Sequence, residues 1–541
     1  LFRILSFLCS WILIAFAQPD MSWFFSLLGS ATGYGFLWYS LEPQKNPYLS
    51  WRQLLSLLFF WSVTINSVHF SWMLSDLYVG RFIYIVWGML ISLLALLFTA
   101  FSCLLFYIVR KKYVKILWCL PGLWVAIEMV RFYFLCSGMS LDYLGWPITA
   151  NAYGRQFGGF FGWSGESFVV IATGISFYRL LLGKRFARLA WLGCFLFPYI
   201  LGGLHYEYLK NTFSKEESLR IAVMQPASTT LLEGPWSGSP AMAWQRLISL
   251  SSIVRKPVDL LIFPEVSVPF GRDRKVYPYD DSQVILSPLT YFKHKDELLA
   301  NIDWMQALSD HFNCPVLMGL ERWEELDSKL YLYNSAECIS QHGELVGYDK
   351  RVLVPGGEYI PGGKFGWSVC KKYFPEYALS CQRIPGGRSG VIEVENLPRM
   401  GVSICYEETF GMLLRNYKRE GAKFLVNLTN DGWYPSSRLP QVHFYHGILR
   451  NQELGLPCVR SCHTGITVAA DALGRIIKML PYETHSRKAS PGVLQITLPL
   501  QNYPTFYAFW GDFPMIFISL LSLGYIGCYF GYRLLAKKEK G

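Results

Sequence analysis

Eight apolar stretches flank one long polar segment, and this layout constrains the fold more than any motif. The stretches cover residues 3–18, 22–41, 53–72, 82–108, 114–136, 160–183, 189–205 and 513–535. A bilayer core offers backbone amides no hydrogen-bond partner, so a crossing segment must be a helix of ~20 mainly apolar residues. The first stretch has signal-peptide length. It lacks a basic leader beyond Arg3 and a second stretch follows at once, so it reads as a retained helix. The chain opens on Leu1 rather than Met, so a few residues are expected upstream. Of 541 residues, 52% are hydrophobic and 16% charged, against the ~25% charge of soluble domains. The expected organisation is a polytopic membrane domain over 1–205 with about seven spans, a catalytic domain over 206–512, and a C-terminal span with a basic tail over 513–541, about eight transmembrane helices in all.

The connecting loops orient these spans. Lys45 and Arg52 follow the second stretch, Arg110, Lys111, Lys112 and Lys115 the fourth, Arg179, Lys184, Arg185 and Arg188 the sixth, and Arg533, Lys537, Lys538 and Lys540 the last. The alternate loops hold only Arg81 and Arg155. Basic loops stay cytoplasmic, so both termini are expected inside and 206–512 outside. The net charge of +11 is partly this signal. No basic stripe interleaved with aromatics and no zinc-finger spacing accompanies it, so nucleic acid is not an expected partner, whereas a bilayer is. The 13 cysteines form no regular framework. Cys9, Cys103, Cys119, Cys136, Cys194 and Cys528 sit in or beside apolar stretches, and Cys370 and Cys381 could be bridged in an oxidising compartment. Cys458, Cys462 and His463 lack a second ligand pair, so core packing is expected there and no metal.

Within 206–512, strand-like runs at Leu219–Met224, Val258–Phe263, Val316–Gly319, Tyr333–Ser340, Val391–Val394, Val402–Cys405, Phe424–Leu428, Thr467–Ala470 and Val493–Thr497 alternate with amphipathic stretches at Ala241–Val254, Ile302–Phe312, Gly411–Glu420 and Pro440–Leu454. That alternation predicts an α/β sandwich. Residues 270–300 and 361–390, rich in Pro, Gly, Tyr and charge, read as surface loops.

Three strand edges carry one ionisable residue each: Glu265 after Leu260–Pro264, Lys350 after Tyr348-Asp349, and Cys405 after Gly401–Ile404. Alone, each has a plain structural explanation as a strand-end acid, a solvated lysine or an inert thiol. Together they are the parts of an acyl-transfer site: a carboxylate to take a proton, an ammonium to stabilise an oxyanion, and a thiol to attack a carbonyl.

The segments Phe263-Pro264-Glu265, Lys350 with Gly356-Gly357-Glu358, and Cys405-Tyr406-Glu407 resemble the nitrilase superfamily. With the flanking apolar stretches, the closer resemblance is to the apolipoprotein N-acyltransferases. It extends to Ala15–Asp20, Leu123-Trp124 with Glu128 and Arg131, Met224-Gln225, Leu353–Glu358, Asn430–Tyr434, and Arg460-Ser461 with Gly465-Ile466-Thr467. The resemblance implies a nitrilase-like α-β-β-α sandwich in a bacterial inner membrane, its catalytic domain facing the periplasm. It implies Glu265 as general base, Lys350 as oxyanion stabiliser beside the Tyr406 N–H, Cys405 as nucleophile and Glu358 as a second acid orienting the lysine. Tyr406, Glu407 and Trp433 are implied as supporting or substrate-binding residues. The implied reaction passes an acyl group from a phospholipid donor, through a Cys405 thioester, to the α-amine of a diacylglyceryl-cysteine apolipoprotein, with no cofactor. A membrane-anchored amidase acting on a small amide is the alternative. The chain departs from the family pattern in a longer stretch at 270–300, in Cys462-His463 where small polar or amide residues are usual, and around Trp236. Glu128 and Arg131 share a helix face three residues apart, and a structural intramembrane ion pair is expected of them, with a role in holding a lipid headgroup as the lesser alternative.

Overall fold

Helices occupy each apolar stretch, because only a helix satisfies its own backbone where side chains are uniformly apolar. In a computed structural model, described for all residues except 44–48, 78–79, 135–139, 213–216, 228–240, 435, 483–489 and 539–541, the chain forms two units. Lys45, Cys136, Trp236 and Lys540 lie outside the described residues. One unit comprises Leu1–Asp76, Gly80–Thr212 and Thr505–Gly541, and the other Leu77–Val79 and Phe213–Pro504.

The first unit contains α1 (Phe2–Ala15), α2 (Trp23–Leu28), α3 (Tyr34–Ser40), α4 (Trp51–His69), α5 (Phe82–Arg110), α6 (Val114–Leu117), α7 (Leu120–Phe134), α8 (Ala152–Leu181) and α9 (Ala187–Thr212). A π-helical turn at Gly29–Gly33 joins α2 to α3. Among the described residues, four helical segments are long and apolar enough to cross a membrane: Phe82–Arg110, Ala152–Leu181, Ala187–Thr212 and Phe513–Arg533. Ser50 starts α4 with a capping box, accepting from the Gln53 N–H while Gln53 reaches back to the Ser50 N–H. Inside α8, Gly162 adopts φ 64° and kinks the helix, and a Cβ there would lie 2.4 Å from the Tyr507 ring. Glu128 and Arg131 are both buried in α7 and interact electrostatically, without a direct ion-pair contact between them. Glu128 accepts the Leu144 N–H at 2.8 Å, and Arg131 donates to the Asp142 carbonyl at 3.1 Å. The loop after α7 offers both side chains backbone partners, which competes with their pairing.

The second unit begins with β1 (Ser218–Gln225), α10 (Met242–Ser251), β2 (Leu260–Ile262), β3 (Tyr277–Pro278), α11 (Tyr279–Leu286), β4 (Leu298–Leu299), α12 (Asn301–Phe312), β5 (Val316–Leu326), β6 (Lys329–Ile339) and β7 (Leu345–Asp349). It continues through α13 (Gly363–Tyr373), α14 (Pro375–Ser380), β8 (Val391–Ile392), β9 (Met400–Ile404), α15 (Gly411–Arg419), β10 (Phe424–Thr429), α16 (Leu439–Leu454), β11 (Cys458–Cys462), β12 (Val468–Ala470), β13 (Ile476–Met479) and β14 (Gly492–Pro499). The short α17 (Phe506–Trp510) and α18 (Phe513–Lys538) then return the chain to the first unit.

Two six-stranded sheets face each other, ordered β14-β1-β2-β5-β6-β7 and β13-β12-β11-β10-β9-β8. Between them lies an apolar core that includes Ile221, Val223, Ile262, Tyr348, Val402, Ile404, Val426 and Val459. The outer face of the first sheet packs against α10 and α12 through Trp244, Leu247, Trp304 and Leu308, with Trp244 and Trp304 stacked at 4.9 Å. The outer face of the second packs against α16 through Phe444 and Ile448. The result is an α-β-β-α sandwich. In each sheet the central strands run parallel, β1-β2-β5 in one and β9-β10-β11 in the other, which gathers strand ends along one edge. Two expectations need correcting. Residues 270–300 hold α11 with β3 and β4, and 361–390 hold α13 and α14, where surface loops were expected. In α13 the apolar side chains Phe365, Val369 and Tyr373 are exposed, so the helix lacks the buried stripe that marks one in sequence. Cys370 and Cys381 are buried and not bridged to each other, and Cys381 Sγ lies 3.6 Å from the Gly357 carbonyl.

Gly319 on β5 lies against the chain leading out of β2, where an added Cβ would sit 2.5 Å from the Glu265 Cα and 2.5 Å from the Pro264 carbonyl. The backbone on both sides is hydrogen-bonded and cannot shift freely, with Gly319 N donating to Pro264 O and Ser267 N to Gly319 O. Gly319→Ala should therefore destabilise the domain by ~1–3 kcal/mol, read as a lower midpoint in thermal denaturation followed by tryptophan fluorescence. An unchanged midpoint would contradict this packing.

Candidate active site

Each of the three strand-edge residues follows a different strand. Glu265 lies three residues beyond β2, Lys350 directly follows β7, and Cys405 directly follows β9. The structure brings them together. Lys350 Nζ lies 3.6 Å from Glu265 Oε1 and 2.9 Å from Glu358 Oε2, and all three side chains are buried. Asn334, on β6, closes the cluster, its amide donating to Glu265 Oε1 at 2.7 Å and to Glu358 Oε1 at 2.9 Å. Glu358 also accepts the Val354 N–H at 2.9 Å, which folds the 350–358 loop back on itself.

The charges in this cluster do not balance evenly. One ammonium faces two carboxylates away from water, and the nearer carboxylate takes most of its field. Burial raises the proton affinity of both acids. For Glu358 the Lys350 and Arg383 charges overcome burial and hold its pKa below the ordinary carboxylate value. For Glu265 burial wins, helped by the Glu358 charge and only partly offset by Lys350, so its pKa is raised. Lys350 stays firmly protonated, because Glu358 and Glu265 outweigh its own burial. Of the two acids Glu265 is therefore the one whose proton affinity is raised, and its Oε2 is buried without a hydrogen-bond partner among the described residues. Burial and the Glu265 charge push the Cys405 thiol well above its usual value, while Lys350 pulls it down. The sulfur therefore rests as a thiol.

Cys405 sits at φ 52°, in the left-handed region that a residue with a Cβ seldom adopts. It opens a 3-10 turn, Cys405–Thr409, at the end of β9. The strained peptide that follows is held from one side. The Cys405 carbonyl accepts from Asn427 Nδ2 at 3.0 Å and lies 3.2 Å from His443 Nε2. In a trans peptide the carbonyl and the next N–H point in opposite directions. Fixing the Cys405 carbonyl therefore aims the Tyr406 N–H away from Asn427 and His443, as an oxyanion donor must be fixed before charge develops. His443 is set by Asp431, 2.9 Å from its Nδ1, and by Glu408, 3.1 Å from its Nε2. Arg460, fully buried on β11, bonds Asp431 at 2.7 Å and Glu408 at 2.8 Å. Arg460 and His443 overcome burial and keep the Asp431 pKa lowered.

Glu407 is buried as a brace. Its Oε1 accepts from the Tyr348 hydroxyl at 2.7 Å and from the N–H groups of Arg351 at 2.6 Å and Val352 at 3.0 Å, and its Oε2 accepts the Ile404 N–H at 2.8 Å. One carboxylate thus ties the lysine loop to the cysteine turn. Tyr406 is half-buried, its ring edge-on to Phe410 at 5.0 Å. Trp433 is half-buried in the turn Asp431–Trp433, and among the described residues it makes no hydrogen bond or ring contact with Glu265, Lys350 or Cys405. His463, where the chain departs from the family pattern, donates from Nε2 to the Glu265 carbonyl at 2.6 Å, and burial lowers its pKa to about 4. It is therefore neutral and pins the acid's backbone from the opposite sheet. Sequence reasoning did not single out Asn334, Asn427 or His443. The one signal for Asn334 was a polar amide inside an otherwise apolar and aromatic strand.

The peptide clamp has a specific consequence. Asn427→Ala should slow acylation of Cys405 by a p-nitrophenyl ester roughly 10- to 100-fold. Alkylation by iodoacetamide, which builds no oxyanion, should change by less than about 2-fold on the same argument. Equal loss in both reactions would mean that Asn427 supports only the fold.

Residues 220–503 match the carbon-nitrogen hydrolase family, and residues 10–176 match the apolipoprotein N-acyltransferase N-terminal domain. The chain is 89% identical to an apolipoprotein N-acyltransferase of Chlamydia caviae over 100% of both chains. It is 59% identical to one of Chlamydia pneumoniae over 99% of both, and 52% identical to one of Chlamydia muridarum over 97% of this chain and 96% of the relative. Its membrane-type helices, its sandwich and these relatives agree, and the chain belongs to the apolipoprotein N-acyltransferase family, on the carbon-nitrogen hydrolase fold.

Proposed function

We propose that this enzyme moves an acyl chain from a membrane phospholipid to the free α-amine of a diacylglyceryl-cysteine apolipoprotein through a thioester on Cys405. The observation that carries the reading is the divided charge of the buried cluster, in which Glu358 holds Lys350 cationic while Glu265 remains the proton carrier. In the first half-reaction Cys405 Sγ attacks the ester carbonyl as its proton passes to Glu265, and Lys350 with the Tyr406 N–H meets the oxyanion. The carbon–oxygen bond breaks, Glu265 returns the proton to the departing alkoxide, and lysophospholipid leaves. In the second half the acceptor amine attacks the thioester, Glu265 takes the amine proton, and the thiolate departs and recovers that proton. Glu358 and Glu407 support the site, and Tyr406 and Trp433 face substrate.

The topology belongs to the same proposal. Residues 1–205 and 513–541 supply about eight crossings, with both termini cytoplasmic, in a bacterial inner membrane. Residues 206–512 form the catalytic domain on the periplasmic side. The basic loops support this orientation, and it suits substrates that are both held in a bilayer. A soluble-amide hydrolase would share the sandwich but would have no use for the membrane helices.

Without acceptor, phospholipid should yield about one lysophospholipid per enzyme in a single burst, and adding a diacylglyceryl-cysteine peptide with a free amine should make release continuous. Continuous release of fatty acid without acceptor would identify a hydrolase and overturn the proposal. The burst rate should rise with pH, with an acid limb above the ordinary carboxylate pKa of ~4.3, because the raised Glu265 pKa keeps the base protonated to higher pH. Glu265→Gln should lower the rate ~10²- to 10⁴-fold and remove that limb. A limb at or below the ordinary value would exclude Glu265 as the base.

A further inference from the structure

His463 stands where the chain departs from the family pattern, and it joins the ends of strands from both sheets. Its carbonyl accepts the Ala227 N–H at 2.8 Å, beyond the end of β1. Its own N–H donates to the Thr429 carbonyl at 3.3 Å, at the end of β10. Those are backbone bonds, and any residue except proline could make them. The ring adds what the backbone cannot. Nε2 lies 2.6 Å from the Glu265 carbonyl, and a carbonyl only accepts, so Nε2 carries the proton. Burial and the Arg246 charge keep the ring neutral, which makes this tautomer a fixed donor.

The ring holds a strained turn. Val266, directly after Glu265, sits at φ 44°. A β-branched residue seldom enters the left-handed region, and one that does persists only where its surroundings over-determine it. Here the peptides on both sides of the Glu265 Cα are fixed. The Pro264 carbonyl accepts from the Gly319 N–H at 3.1 Å and from the Ser267 hydroxyl at 2.6 Å. The Glu265 carbonyl meets His463. Because peptides are planar, holding both neighbours sets φ and ψ of Glu265 and leaves its carboxyl only side-chain rotations. Without the ring, the peptide between Glu265 and Val266 can turn, Val266 can relax to negative φ, and the carboxyl moves off Asn334 and Lys350. The nucleophile is held in a similar way, since Cys405 sits at φ 52° with its carbonyl 3.2 Å from His443 Nε2.

We propose that His463 is a positioning residue for the general base, its ring fixing the strained Glu265–Val266 peptide and so the aim of the Glu265 carboxyl at the Cys405 thiol. The inference rests on the proposed role of Glu265 as that base. It separates two devices in one site. Asn427 serves the oxyanion, which only ester acylation builds. His463 serves removal of the thiol proton, which any attack by Cys405 requires. In alkylation by iodoacetamide, Sγ forms a bond to carbon, iodide leaves and the thiol proton passes to Glu265.

The test compares acylation by a p-nitrophenyl ester with alkylation by iodoacetamide, using full-length protein in detergent. His463→Phe keeps a buried ring without a donor. It should slow both reactions alike, by ~10- to 100-fold, as a misplacement of about 1 Å at a reacting group does. His463→Gln, whose amide nitrogen reaches about as far as Nε2, should recover most of the lost rate in both. His463→Leu carries the same test if the Phe variant does not fold. Glu265→Gln is measured alongside. Slower alkylation in Glu265→Gln but not in His463→Phe would overturn this inference alone, and unchanged alkylation in both would overturn the base reading with it. Loss of ester acylation with alkylation intact would place His463 with the oxyanion clamp and contradict the inference. So would a defect that Gln does not repair, the result expected of a ring that only fills space.

Discussion

The contact between Lys350 and Glu358, 2.9 Å apart and out of water, is the interaction on which the site depends. A buried ammonium is expensive unless paired, and a buried carboxylate equally so. Once these two neutralise each other, Glu265 has no full countercharge. Its pKa rises for that reason, and a residue that would otherwise be a permanent anion can exchange a proton with a buried thiol. Asn334 makes the arrangement specific by donating to both carboxylates, which fixes their separation whichever one is protonated. Removing Glu358 would do more than loosen the lysine, because Glu265 would then become the sole partner and lose its basicity in the wrong direction.

The sandwich assembles this cluster from strands that belong to different sheets. Glu265 and Lys350 leave β2 and β7 of the first, and Cys405 leaves β9 of the second. Position therefore depends on cross-sheet ties. Glu407 supplies one, joining Ile404 to Arg351 and Val352 through a single carboxylate. His463 supplies another, from the chain after β11 to the Glu265 carbonyl, and Ser461 a third, to the Met224 carbonyl. Behind Cys405, the buried side chains of Asp431, Glu408, Arg460 and His443 form a closed polar set that terminates on the Cys405 carbonyl. This arrangement holds a turn at positive φ in the geometry an oxyanion donor needs.

Legibility in the sequence followed the physics of each element. Glu265, Lys350 and Cys405 could be read because each interrupts an apolar strand at its edge, and the two-sheet fold followed from strands alternating with amphipathic helices. The brace role of Glu407 could not be read, since a carboxylate beside a nucleophile looks the same whether it meets substrate or backbone. The strand Cys458–Cys462 was missed because Arg460 sits at its centre, and only the buried Asp431 and Glu408 make an arginine tolerable there. The helix Gly363–Tyr373 was hidden by the preceding Pro361-Gly362 and by apolar side chains that face outward. For Glu128 and Arg131 the spacing placed them on one face but could not reveal that the loop after α7 would draw each onto a backbone partner.

The central claim is that Cys405 carries the acyl group, and intact-mass analysis tests it most directly. Purified protein incubated with phospholipid should gain the mass of one acyl chain, the Cys405→Ala protein should gain none, and a diacylglyceryl-cysteine peptide with a free amine should discharge the adduct. An adduct that persists in the Cys405→Ala protein, or one that the amine cannot discharge, would contradict the account.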